Sequence, residues 1–399
     1  MDLAIKDISR HVGKFIATIL GVGLLLTIVF IMNGIYRGII ADGIWLIENT
    51  DTDLWVVERG RGGPFNEQSR VRMDMYKSVQ ATPGVMQAGP FIVYAVQREI
   101  AGRSQQFSIV GYDIAIGLGK PGRLIEGRQI TAFHYEMVAD KKLGLQLGDT
   151  VRLGVHDYRV VGITKGAVDS GGNPLIYLAL PDAQEVLYQM DNQAIYASRA
   201  ASLQRLLNAG LSQADAERML PLVSAPVDTI SAVLVRLRPG EDAQLVKDHI
   251  AKWLYLSVFS SDDEKNLMLE GRVKRISIVL GTFRVLLLVV SIVIVALIVY
   301  VLTIEKIKSI ATLKLIGASN WVIVRLILEQ TLMLTISSFL FGYTMAALVK
   351  ASERFPRTLY FLTFDTITIF LIMLVGGILA SGLAVWHALK APPALALGG

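Results

Sequence analysis

The chain has 399 residues, of which 53% are hydrophobic and only 18% charged, with a mean hydropathy of +0.49. That balance excludes an ordinary water-soluble globular protein and calls for a membrane. The net charge of +5 does not argue for nucleic acid, because much of the excess Lys and Arg flanks hydrophobic spans, and the lack of cysteine excludes disulfides and thiolate metal sites.

In chain order, Asp2 to Lys14 sets Leu3, Ile5 and Ile8 among charges, which fits a short interfacial helix or a plain charged flank. Phe15 to Tyr36 is the first of four uncharged stretches able to cross a hydrocarbon core of about 30 Å at about 1.5 Å per residue. It is longer than the roughly 7 to 15 residues of a signal-peptide core, and Ile39-Ile40-Ala41 offers no small-residue cleavage site, so it reads as a retained anchor. Gly21 and Gly23 give it a small-residue face for another helix, while Asn33 and Arg37 near its outer end read as snorkelling or capping groups.

Strand and turn signals follow. Asp53 to Glu58 is strand-like, Arg59 to Pro64 breaks it, Val71 to Gln80 has a helical pattern, and Val85 to Glu99 with Gln105 to Tyr112 reads as a hairpin around Ala101 to Ser104. The RGRGG cluster lacks the G-x-x-x-x-G-K-[ST] spacing of a phosphate cradle, and no such motif occurs anywhere in the chain. Ala183 to Leu222 is mostly helical in pattern, Thr229 to Leu237 is a strand, and Glu241 to Leu254 is a helix after the Pro239-Gly240 turn.

Asp262 to Arg284 alternates charged and apolar residues on a helical period and runs into the second span, Val285 to Ile304, so a continuous helical stalk is expected. Arg275 and Arg284 on it either snorkel to the outer interface or contact anionic lipid. The remaining spans are Thr331 to Val349 and Thr366 to Trp386, where Gly342, Gly376-Gly377 and Ser381-Gly382 suit close packing. Arg325 and Glu329 stand four apart and are placed to pair. Lys6, Arg10, Lys14, Lys306, Lys308, Lys314, Arg325 and Lys390 on one side outweigh Lys350, Arg354 and Arg357 on the other, which predicts cytoplasmic termini.

Between the second and third spans lies TIEKIKSIATLKLIGASNWVIVRLILEQ, Thr303 to Gln330. Ile304, Ile307, Ala311 and Leu315 share one helical face at spacings of three and four, with Gly317 as the helix stop and Ser319 or Asn320 as the next N-cap. Glu305, Ile310, Ala311, Leu313, Lys314, Ile316, Gly317 and Ala318 make this stretch resemble the coupling helix of the four-helix ABC exporter permeases, the MacB/LolCDE/FtsX-type mechanotransmission family, with ATLKLIGAS closest to the DevC-type version. Ser309 stands where that family commonly has an acidic residue. EMVADKKLGLQLGDTVRLGVHDYRVVGI is similar to the family's small β-rich extracytoplasmic subdomain, and the resemblance implies a short helix over Asp140 to Leu145, a Gly148-Asp149 turn, and strands over Thr150 to Leu153 and Tyr158 to Ile163. Asp140, Asp149, His156 and Asp157 invite a metal or acid–base reading, but they fall at turn and cap positions without a ligand spacing. The terminal KAPPALALGG resembles the family's proline followed by an Ala-Leu pair.

The fold expected is therefore an α-helical integral membrane protein with four transmembrane helices and a large α+β extracytoplasmic domain inserted between the first two. The limits are a cytoplasmic interfacial segment 1–14, a first span 15–37, a periplasmic domain 38–271, stalk and second span 272–304, coupling loop 305–320, third span 321–349, periplasmic loop 350–365, fourth span 366–389 and cytoplasmic tail 390–399. The resemblance implies a split sheet subdomain over 45–125 and 226–260 with an inserted subdomain over 126–225. It further implies a non-catalytic permease subunit of the bacterial inner membrane whose coupling residues are Glu305, Lys306, Ile307, Ser309, Ile310, Ala311, Leu313, Lys314, Ile316, Gly317 and Ala318. No cofactor would bind directly; ATP-Mg would sit on a partner ATPase, with a second permease copy, a membrane-fusion protein and an outer-membrane channel as further partners. The cargo would be hydrophobic or amphipathic. A regulator of an extracytoplasmic enzyme, like the cell-division relatives, and a membrane-anchored receptor without an ATPase are the rival readings.

Overall fold

The computed structural model describes residues 12–65, 67–100, 102–190, 203–213, 215, 229–253, 255–352 and 363–390. The expected interfacial segment, most of the loop 350–365, much of the region 183–222 and the tail 391–399 lie outside the described residues. The chain divides into an α+β unit, Ile40–Lys274, and a helical unit, Met1–Ile39 with Arg275–Gly399. Helix α1 (Val12–Asn49) belongs to the helical unit by its first part and to the α+β unit by its last turns.

The α+β unit is built on β1 (Leu54–Glu58), β2 (Val71–Arg72), β3 (Val85–Ile100), β4 (Arg103–Tyr112), β5 (Leu124–Gly127), β6 (Glu136–Asp140), β7 (Thr150–Leu153), β8 (His156–Thr164), β9 (Leu175–Ala179), β10 (Thr229–Ile230), β11 (Ala232–Leu237) and β12 (Leu256–Ser260). Ten of these form one sheet in the order β12-β1-β11-β3-β4-β9-β6-β8-β5, with β7 on β8, and β2 pairs with β10 separately. Successive side chains of a strand point to opposite faces, so Leu54 and Val56 enter one core while Trp55 and Val57 enter the other. Val233 and Val235 of β11 likewise separate from Ala232 and Leu234. Both faces are covered, which is why these strands read as unbroken apolar runs. Helices α2 (Met75–Gln80), α3 (Leu180–Met190) and α4 (Ala243–Ala251) line the first core through Val79, Val186, Val246 and Ile250.

Within the expected inserted segment 126–225, the described strands join the main sheet. Strand β9 pairs in parallel with β4, Ser108 opposite Leu175, so β5 to β9 extend the same sheet. The expected helix over Val71 to Gln80 begins as β2 and becomes helical only from Met75. The expected helix Asp140 to Leu145 is a single 3-10 turn, Lys141–Leu143, capped by the Asp140 carboxylate on the Lys142 amide at 2.9 Å and stopped by Gly144 at φ 76°. Gly148 turns the chain at φ 89° into β7 at its expected limits. Helix α5 (Ser261–Met268) starts with a reciprocal capping box between Ser260 and Asp263. The expected continuous stalk is helical, but a π-helical stretch, Leu269–Val273, separates α5 from α6 (Lys274–Glu305).

In the helical unit, α1, α6, α8 (Asn320–Ala351) and α9 (Thr363–Lys390) are long and apolar enough to cross a membrane, with the short α7 (Ile307–Leu315) between α6 and α8. Their inward faces join Leu26, Phe30, Val295, Val299, Leu334, Met373 and Ala384 into one core. Their outward faces carry exposed Leu24, Ile28, Val289, Val293, Leu297, Leu379 and Leu383. An apolar exterior over an apolar core is stable only in lipid. Close approach of α1 to α8 depends on missing side chains: a Cβ on Gly342 would lie 2.8 Å from the Gly23 carbonyl oxygen. Gly21 faces open space, so the expected small-residue face reduces to Gly23; likewise Gly376 and Gly377 make close contacts and Gly382 does not.

Candidate functional site

The loop between α6 and α8 is shaped by local backbone chemistry. Helix α6 ends at Glu305, and Lys306 leaves helical geometry at φ −98°, ψ 6° before α7 restarts at Ile307. The end of α7 is a Schellman closure: the Gly317 amide donates to the Lys314 carbonyl at 3.0 Å and the Ala318 amide to the Leu313 carbonyl at 2.9 Å, with Gly317 at φ 96°. Ser319 then takes the extended N-cap conformation of α8 without a side-chain hydrogen bond.

The eleven residues singled out in the sequence do not share one environment. Ile310 and Ala311 are buried, while Lys306, Ile307, Leu313, Lys314 and Ala318 are half-buried. Glu305, Ser309, Ile316 and Gly317 are exposed, Ile316 at 79%. The expected apolar stripe is corrected accordingly: Ile304 belongs to α6, and Leu315 faces outward at 48% exposure. Lys308, Thr312 and Leu315 join Ser309 and Ile316 on the exposed face, and Trp321 adds an indole 69% exposed. Lys308, Thr312, Leu315 and Trp321 are not in the expected set, which follows the residues that carry the resemblance, buried Ile310 and Ala311 and exposed Glu305, Ile316 and Gly317 alike. Spacings of four from Lys308 through Thr312 to Ile316 carry the signal for the exposed face of α7.

Two contacts tie this loop to neighbouring helix ends. Lys314 Nζ donates to the Leu389 carbonyl at 2.7 Å and the Ala388 carbonyl at 3.3 Å, placing a cation where α9 leaves its carbonyls unpaired. Lys14 Nζ pairs with Glu305 Oε1 at 2.6 Å, joining α1 to the end of α6. The Arg325–Glu329 pair forms at 2.9 Å within α8.

A second polar centre lies toward the other end of the same helices. Arg37 of α1 grips Asp365 of α9 with both limbs of its fork, at 2.6 and 2.7 Å, and Asn33 Nδ2 donates to the same carboxylate at 3.1 Å. Arg284 of α6 donates to Asn33 Oδ1 at 2.9 Å. Asn33 and Arg37 thus pair across helices instead of snorkelling, and Arg284 points into the network. Arg275 lies in α6, its side chain outside the described residues.

In the α+β unit Asp140 and Asp149, two of the residues that invited a catalytic reading, serve the backbone, and His156 meets another side chain. Asp140 Oδ2 accepts from the Ala167 amide at 2.8 Å, Asp149 Oδ2 from the Gln146 amide at 2.8 Å, and His156 Nε2 contacts Glu185 Oε1 at 2.9 Å. Among the described residues no cluster of three His, Asp or Glu is arranged to hold a metal.

Residues 15–253 match the MacB-like periplasmic core domain, and residues 281–393, from α6 through α9, match the FtsX-like permease C-terminal domain. The chain belongs to the ABC transporter permease family with MacB-like and FtsX-like domains. An ABC transporter permease of Mycobacterium tuberculosis is 24% identical over 397 residues, covering 99% of both chains. One from Mycobacterium bovis is 23% identical over 398 residues, again covering 99% of each. The crystal structure of the periplasmic region of MacB from Actinobacillus actinomycetemcomitans aligns to 56% of this chain and 96% of its own, with 12% identity and a TM-score of 0.37.

Proposed function

We propose that the chain is the membrane subunit of an ABC exporter that converts ATP hydrolysis on a separate ATPase into movement of the α+β unit on the outer side of a bacterial inner membrane. The observation that carries this reading is α7. It is a short helix seated by buried Ile310 and Ala311, joined to α9 through Lys314, and left with an exposed face of Lys308, Thr312, Leu315 and Ile316. A push on that face reaches a neighbouring helix through a direct hydrogen bond, as a coupling element requires. Lys14, Lys306, Lys308, Lys314, Arg325 and Lys390 around this end support cytoplasmic termini.

In this reading ATP-Mg stays on the partner, two permease copies assemble with two ATPases, and the substrate is hydrophobic or amphipathic and is expelled from the periplasm or outer leaflet. A membrane-fusion protein and an outer-membrane channel would complete the path. The test is co-purification of the full chain with candidate ATPases, reading capture and ATPase stimulation. Ile316→Glu with Lys308→Glu removes the exposed face; Lys314→Glu breaks the link to α9 and leaves that face intact. The expected outcome is loss of capture for the first pair and loss of stimulation with retained capture for Lys314→Glu. Wild-type behaviour of all three would make α7 a linker and sink the proposal.

A further inference from the structure

Among the described residues, the network at the Arg284 end of the helices is unbalanced. Arg37 and Arg284 bring two positive charges and Asp365 one negative, and Arg37 holds that carboxylate with both limbs of its fork. Among the described residues, Arg284 hydrogen-bonds the network through a neutral amide oxygen, Asn33 Oδ1, and feels the Asp365 charge only through space. A guanidinium among apolar helices is costly without an anion. Beside it, between α1 and α6, is a cavity of about 90 Å³ lined by Asn33, Tyr36, Ser277, Gly281 and Arg284. Its wall combines a cation with an amide, a phenol and a hydroxyl, the donor set that receives phosphate oxygens. Gly281 keeps it open, since a Cβ there would meet nothing within 4 Å.

The depth fits a headgroup. From Lys14 to Asn33 along α1, and from Arg284 to Glu305 along α6, the rise is about 30 Å, the thickness of a hydrocarbon core. Lys14 and Glu305 pair at one end of that distance, and Asn33 and Arg284 meet at the other.

We propose that this cavity binds the phosphate of an anionic headgroup, with Arg284 as its principal cation and Tyr36 and Ser277 as further donors. The proposal rests on α1 and α6 spanning a bilayer and is independent of any ATPase. A bound phosphate balances Arg284 and bridges α1 to α6 at the membrane surface. The same chemistry comes from a phospholipid or from a soluble phosphate ester, and the experiment separates them.

Full-length wild type, Arg284→Gln and Gly281→Leu are placed in nanodiscs of phosphatidylcholine with and without phosphatidylglycerol, and retained lipid is read by native mass spectrometry. Wild type is expected to retain phosphatidylglycerol over phosphatidylcholine by about tenfold: both carry a phosphate, but the choline cation offsets that charge in phosphatidylcholine, a difference about the size of one charge-assisted contact. Both variants should lose that preference. Gly281→Leu should keep or raise the melting temperature, because leucine is the better helix former and meets open space. In a second arm, delipidated protein in detergent is titrated with glycerol 3-phosphate. A melting shift in wild type and not in Arg284→Gln assigns the site to soluble esters as well; a response to phosphatidylglycerol alone assigns it to lipid. Equal retention of both lipids by wild type, or an undiminished preference in Gly281→Leu, overturns the site. A chain that fails to enter the discs overturns the membrane placement and the proposal with it.

Discussion

The α+β unit and the helical unit treat polar side chains in opposite ways. In the sheet, isolated carboxylates satisfy nearby backbone amides, as Asp140 does for Lys142 and Ala167 and as Asp169 does for Gly171 and Asn173. In the helical unit the backbone is already satisfied along each helix; buried hydroxyls mostly return to a carbonyl of their own helix, as Thr27 does to Gly23 and Thr331 to Ile327, while the buried carboxylate and amide pair across helices. Asn33, Arg37 and Asp365 are the clearest case. A buried carboxylate therefore serves the backbone in the sheet, as Asp140 and Asp169 do, and pairs across helices at Asp365.

One large effect that sharpens this contrast belongs to Asp365. Asp365→Ala leaves Arg37 and Asn33 without their shared acceptor and should destabilise the helical unit by about 3 kcal/mol, the low end for breaking a buried pair because the Arg37 side chain is 35% exposed. Thermal unfolding of the purified full chain reads it. Arg37→Met combined with Asp365→Leu should recover most of the loss; a double variant as unstable as the single would show that pairing is not the cause.

The sheet unit has its own exception. Glu264 is fully buried beneath Gly63, neither carboxylate oxygen has a hydrogen-bond partner among the described residues, and burial, reinforced by Asp263, pushes its pKa up to about 8. The folded state therefore holds this proton more tightly than the unfolded chain, whose value is near 4.5. Its contribution to stability is fully present below about pH 4.5, falls as pH rises toward 8, and is lost above that, by a total on the order of 4 kcal/mol. Pulse proteolysis of the α+β unit in the intact chain should show this slope, and Glu264→Gln should flatten it. An unchanged slope would mean that another group titrates.

Packing gives the next effect. Gly342→Val should cost about 2 kcal/mol by forcing α1 and α8 apart, whereas Gly21→Val, with nothing within 4 Å of its Cβ, should be nearly silent. Similar melting temperatures for the two would refute the Gly23–Gly342 approach.

What could be read in advance follows the range of each interaction. The four spans, β7 and the Gly317 stop are set by neighbours a few residues away, so composition and turn chemistry expose them. The union of β4 with β9 was not legible, because parallel pairing joins Ser108 to Leu175 through a connection with no local signature. Arg37 and Asp365 were likewise invisible as a pair, being 328 residues apart. In α7 the resemblance pointed to the stretch, but a single helical wheel mixed two helices, since the Lys306 break rotates Ile304 away from the face that Ile310 and Ala311 bury.

The smallest effect on stability is the most informative about function. Ile316 is 79% exposed, so Ile316→Glu removes little packing and should change stability by no more than about 0.5 kcal/mol. Lys14→Ala loses only an exposed ion pair, its side chain 57% accessible, and should cost less than about 1 kcal/mol. Because neither change disturbs the fold, a loss of ATPase capture in Ile316→Glu with an unshifted melting curve can come only from the exposed face of α7. If both variants melt and capture like wild type, the exposed side chain is idle. Function would then have to pass through the inward contacts of Lys314, where a charge reversal breaks the bond to the Leu389 carbonyl and moves stability and coupling together.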